Sequence, residues 1–66
     1  MEQIHLTPRE QHVLKFTAQG MTAKEVGKLM CLSEHTVNFH LRNIMAKLDA
    51  TTKHQAAFRA SEMGLL

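Results

Sequence analysis

This sequence has little with which to build disulfides, membrane spans or β-sheet. A single cysteine, Cys31, rules out a disulfide framework. No apolar run approaches the roughly 20 residues that cross a bilayer. Only three valines and two isoleucines occur, at helical rather than alternating spacing, so strand signals are nearly absent. One proline and three glycines act as punctuation, and no repeat, low-complexity tract or flexible linker divides the chain. Residues 1–66 therefore read as one small domain of modest stability. The lone thiol and the absence of a targeting segment predict a reducing, cytoplasmic setting.

Catalytic and metal-binding patterns are missing as well. No nucleophile–base pairing, glycine-rich phosphate loop or carboxylate pair is visible. The five histidines, His5, His12, His35, His40 and His54, form no i, i+4 pair and have no second cysteine nearby. His40 reads as a packed or hydrogen-bonded structural residue. The domain is also too small to bury an ordinary ligand pocket. Neither an enzyme nor a cofactor or metal site is expected.

What remains is a compact composition with 44% hydrophobic and 21% charged residues. The formal charge is only +2, but it is unevenly placed. From His35 to Ser61 there are four basic residues, Arg42, Lys47, Lys53 and Arg59, against Asp49 alone. The rest of the chain holds four basic and five acidic residues. The basic second half is a modest pointer to a polyanionic partner.

The punctuation predicts an all-α fold of four helices, at about 8–19, 23–30, 34–48 and 53–63. Thr7-Pro8-Arg9-Glu10 combines a cap, a proline at the first helical position and a capping-box glutamate, with Gly20 closing the helix. Thr22-Ala23-Lys24-Glu25 is a second capping box, and Thr52-Lys53-His54-Gln55 reads as a third. Ser33 caps the helix between them. The inward faces are Val13, Leu14, Thr17 and Ala18 above Leu6, then Val26, Leu29 and Met30, then Val37, Leu41, Ile44 and Leu48, then Ala56, Ala60 and Met63. Phe16 is placed at the core edge.

Only Cys31, Leu32 and Ser33 join the second and third helices, which forces a sharp crossing. Gly27 costs about 1 kcal/mol relative to alanine in mid-helix, so close approach of the two helices is its better explanation. Val26, Met30, Leu32 and Val37 supply apolar contacts at the spacing of a helix-turn-helix. Cys31 occupies the turn position where a left-handed backbone favours glycine, and reads as a small, half-buried turn residue.

The third helix is two-sided. With Val37 at zero and about 100° per residue, Leu41, Ile44 and Leu48 lie within about 40° of it. His35, Phe39, Arg42 and Ala46 fall on the opposite side, between about 140° and 200°, flanked by Asn38 and Asn43. A phenylalanine at the centre of a polar face suits a groove of thymine methyls and base edges, so Asn38, Phe39 and Arg42 are the candidate base contacts. Thr22, at a helix N-terminus, is a candidate phosphate contact as well as a cap.

The runs Leu6-Thr7-Pro8-Arg9-Glu10, Ser33-Glu34-His35-Thr36-Val37-Asn38-Phe39-His40 and Met63-Gly64-Leu65-Leu66 resemble the LuxR-type helix-turn-helix DNA-binding domain over nearly the whole chain. The Thr36–His40 form is similar to quorum-sensing regulators that respond to acyl-homoserine lactones, whereas response-regulator relatives more often carry lysine where Asn38 stands. Cys31 and Gly27 depart from the usual glycine and alanine. The resemblance implies the output domain of a transcription regulator, with Asn38, Phe39 and Arg42 at bases. It adds Lys24, His35, Thr36, Asn43 and Lys47 to Thr22 as phosphate contacts. Lys47→Ala is then expected to weaken all sequences alike, and Arg42→Ala to relax sequence preference.

The resemblance also implies a homodimer on a palindromic operator in double-stranded DNA, through a fourth-helix face of Gln55, Phe58 and Glu62. The bare sequence also allows Phe58 to tuck against a neighbouring loop. RNA polymerase is a further candidate partner, although contacts with it leave no recognisable mark in a sequence. Two alternatives stand beside this reading: a response-regulator output domain, and a helical protein-interaction module docking through Phe39 or Phe58. DNA binding predicts a steep loss of affinity with salt, and apolar docking predicts little change.

Overall fold

The computed structural model describes residues 4–66. Four helices are present: α1 (Pro8–Ala18), α2 (Ala23–Met30), α3 (Glu34–Lys47) and α4 (Lys53–Glu62), each ending within one residue of its predicted bounds. No strand occurs among the described residues.

The caps explain the boundaries. Thr7 and Glu10 exchange bonds, Glu10 N–H to Thr7 Oγ1 at 3.1 Å and Thr7 N–H to Glu10 Oε1 at 2.9 Å. Thr22 and Glu25 repeat the pattern at 3.2 and 2.8 Å. Each reciprocal pair satisfies two donors that a helix start leaves orphaned. The expected third box does not form. Thr52 accepts from the Gln55 amide at 3.0 Å, but the Gln55 side-chain oxygen accepts instead from Thr51, from its amide at 2.7 Å and its hydroxyl at 3.1 Å. Gly20, at φ 95°, turns the chain out of α1 in a conformation that side chains resist.

α1 and α3 each touch all three other helices, while α2 and α4 do not meet. The core is built from Leu6, Val13, Leu14, Val26, Val37, Leu41, Ile44, Leu48, Ala56 and Ala60, all buried. Phe16 packs against its edge, as predicted. Three predicted inward residues are exposed: Ala18, Leu29 at 56% and Met63 at 49%. Each has a local reason. α2 is covered from the Gly27 side of Val26, so its buried arc runs through Met30 (itself half-buried) and leaves Leu29 on the far flank. Ala18 is the last residue of α1, and Met63 lies past the end of α4. Thr17 is half-buried.

Candidate nucleic-acid interface

The joint between α2 and α3 sets the angle at which α3 is presented. Cys31 takes φ 59°, ψ 41°, the left-handed conformation expected there, and Leu32 N–H donates to the Gly27 carbonyl at 2.8 Å. A Cβ on Gly27 would stand 2.6 Å from the Leu32 carbonyl oxygen. No real Cβ tolerates that distance to a backbone atom, so close approach explains the glycine, although what approaches is the backbone of the joining turn rather than α3 itself. The Cys31 side chain is exposed, not half-buried, because the left-handed turn directs it outward.

α3 starts where Ser33 Oγ accepts from the Thr36 amide at 3.0 Å, with the two hydroxyls 2.9 Å apart. Val37, Leu41 and Ile44 are buried, with Leu48 as the buried cap residue. The opposite side is open: His35, Asn38 and Arg42 are exposed and Phe39 is 50% exposed. Phe39 meets the half-buried His40 ring edge-on at 5.8 Å, which braces the phenyl on one side and leaves the other free. Thr36 and Asn43 are half-buried on the flank.

Thr22 and Lys24 lie at the exposed start of α2. The Thr22 N–H is committed to Glu25, whereas the Ala23 and Lys24 amides have no intrahelical acceptor and suit an anion. One charge opposes this. The Thr22 backbone N–H and hydroxyl hold the Glu25 carboxyl below its usual range, so it is a full negative charge at the same helix end.

Lys47 occupies a different environment from the other candidates. Its ammonium donates to Glu10 Oε1 at 2.6 Å and to the His5 carbonyl at 3.2 Å. Burial raises the Glu10 pKa, but hydrogen bonds and charge from Lys47, with the Thr7 bonds, outweigh it and hold the carboxyl below its ordinary 4.5. Sequence reasoning found Glu10 as a cap and Lys47 as a surface cation. Nothing in the spacing of residues 37 apart signals that they meet.

On α4, Phe58 is 65% exposed and Glu62 is exposed, while Gln55 is half-buried with its amide oxygen held by Thr51. Phe58 is therefore not tucked against a loop. Among the described residues, no group of three or more His, Cys, Asp or Glu is placed to hold a metal ion. No described helix is long and apolar enough to cross a membrane.

Residues 5–60 match the family model of bacterial regulatory proteins, luxR family. The chain belongs to the LuxR family. This LuxR-family domain is 49% identical over 61 residues to the transcriptional activator protein SolR of Ralstonia solanacearum. It is 44% identical over 61 residues to RpaR, an HTH-type quorum sensing-dependent transcriptional regulator of Rhodopseudomonas palustris. Both alignments take 92% of this chain but only 26% and 25% of the relatives, so the chain spans about a quarter of their length. Among solved structures, the transcription factor GerE superposes with a TM-score of 0.88 at 28% identity, covering 92% of this chain and 91% of that one. Escherichia coli SdiA superposes with a TM-score of 0.89 at 37% identity, covering 98% of this chain and 27% of that one. The LuxR-family domain is thus a helix-turn-helix DNA-binding domain of the kind found in transcriptional regulators.

Proposed function

We propose that this domain binds double-stranded DNA sequence-specifically, with α3 in the major groove, as the output domain of a quorum-sensing transcription regulator. The observation that carries groove insertion is the open side of α3. A half-exposed phenylalanine, Phe39, lies between Asn38 and Arg42 on a helix whose other side is wholly buried. Arg42 offers a bidentate fork to guanine, Asn38 reads adenine, and Phe39 packs on thymine methyls. Thr22, Lys24, His35, Thr36 and Asn43 face the phosphates from the two helix starts and the flank of α3. Lys47 is not grouped with them, because Glu10 and the His5 carbonyl hold its ammonium. The quorum-sensing assignment rests on the likeness to RpaR and on the Thr36–His40 run.

The test selects duplexes from a randomised pool with the wild-type chain, then compares a selected duplex with its scrambled counterpart. Arg42→Ala should lose about 1–3 kcal/mol of discrimination at one base position. Lys24→Ala should weaken both duplexes alike and make the salt dependence shallower by about one counterion. Equal loss on both duplexes from Arg42→Ala would remove the base-reading assignment. Binding that ignores salt would instead favour an apolar protein-docking module.

A further inference from the structure

Two helices and the segment leading into the first of them converge on a single ammonium group. Lys47, the last residue of α3, bonds Glu10 of α1 at 2.6 Å and the His5 carbonyl at 3.2 Å. We infer that Lys47 is a positioning residue, fastening the far end of the reading helix to α1, and that it is not one of the phosphate ligands. The inference rests on the DNA-binding reading above.

Three observations carry it. First, Glu10 is not free to follow Lys47 elsewhere. The Thr7 amide holds its carboxylate at 2.9 Å within the α1 cap, and its side chain is 6% exposed. Moving the ammonium to a phosphate would leave that shielded carboxylate without its counter-charge, an arrangement that costs more than a surface phosphate contact returns. Second, the pair is locally neutral, so Lys47 adds little field toward a polyanion. Third, Lys47 stands on the flank of α3, outside the arc of Asn38, Phe39 and Arg42. At about 100° per residue it stands about 80° round the helix from Phe39 and about 140° from Arg42.

The mechanical role follows from where α3 is held. Its first end is fixed by the Cys31 turn, and the buried stripe fixes its rotation about the core. Lys47 lies five positions past Arg42, about 7.5 Å further along the axis. Fixing both ends stops α3 from pivoting about its middle. Base readout depends on such fixing, since side chains displaced by about 1 Å lose directional bonds while phosphate attraction barely changes.

The deciding experiment measures affinity for the selected and the scrambled duplex across a salt series, for wild type, Lys47→Met and Lys47→Arg. Circular dichroism first establishes a temperature at which each variant is folded. For Lys47→Met the expected result is unchanged salt dependence, unchanged affinity for the scrambled duplex, and about tenfold less discrimination, a loss within the worth of one bidentate contact. Lys47→Arg, which keeps the ion pair, should restore discrimination. A salt dependence shallower by about one counterion would make Lys47 a phosphate ligand and overturn the inference. Unchanged discrimination in Lys47→Met would overturn it too, leaving the residue a support of stability alone. Should Lys47→Met not fold, NMR of the Lys47 ammonium in the wild-type chain decides. Retained contact with the Glu10 carboxylate on the duplex supports positioning, and a new coupling to phosphorus refutes it. If the wild-type chain selects no duplex, the DNA-binding reading falls and this role with it, and that failure is distinguishable because it precedes any variant.

Discussion

Cys31 holds a left-handed backbone at φ 59° that a β-carbon resists by about 1–2 kcal/mol. Its side chain is exposed, so little packing opposes replacement. Glycine would relieve the strain but also make the unfolded chain more flexible, at about 0.4–1 kcal/mol. Cys31→Gly is therefore expected to stabilise the domain by up to about 1 kcal/mol, a rise of about 4–8 °C in melting temperature for a chain of this size. A melting temperature that falls would mean that the thiol contributes packing which its exposure does not show. Asp49 takes a similar conformation after α3, φ 53°, where a short polar side chain is tolerated. At this scale the sequence was highly legible. Gly27 in mid-helix and the three-residue joint both announced a close crossing, because a glycine that costs helix stability needs a reason.

At the scale of elements, Glu10 shows how one residue serves two structures, closing the α1 cap and receiving Lys47 from α3. Its folded-state pKa lies below 4.5, so the folded state holds its proton less tightly than the unfolded chain. The resulting stabilisation is complete above pH 4.5 and is lost as pH falls through the lower folded value. Thermal melts of wild type should therefore decline below about pH 4.5, and Glu10→Gln should be less stable at neutral pH but show a flatter acid limb. Equal acid limbs would show that the pair does not discharge on this side of global unfolding. Element boundaries were readable because caps are local: Thr7, Thr22, Ser33 and Thr52 each bond a residue three positions on. Burial was less readable. Leu29 and Met63 fit a helical stripe, but which flank is covered depends on where α3 approaches, and helical spacing carries no record of that. The Glu10–Lys47 bond was hidden for the same reason.

For the whole molecule, the α4 face of Gln55, Phe58 and Glu62 is the proposed seam between two copies on one site. The domain measures 36 × 19 × 18 Å, and half-sites one helical turn apart place two reading helices about 34–36 Å apart. Contact across the dyad then requires the long dimension to lie toward the partner, since the short ones span only about half that gap. A seam of Gln55, Phe58 and Glu62 is small beside the roughly 800 Å² per partner of a stable interface. The free domain is accordingly expected to sediment as a monomer, and to bind a palindromic duplex as a cooperative pair. Phe58→Ala should keep single-site affinity and lose the cooperativity. If two Phe58→Ala chains occupy the palindrome as cooperatively as wild type, the partners meet elsewhere.

The joint between α2 and α3 has one more consequence, and it concerns observation rather than stability. The thiol there is the only one in the chain, it is exposed, and it lies in the turn that leads into α3. A maleimide dye therefore attaches at one known point of the unaltered sequence, close enough to α3 to register its docking by a change in emission.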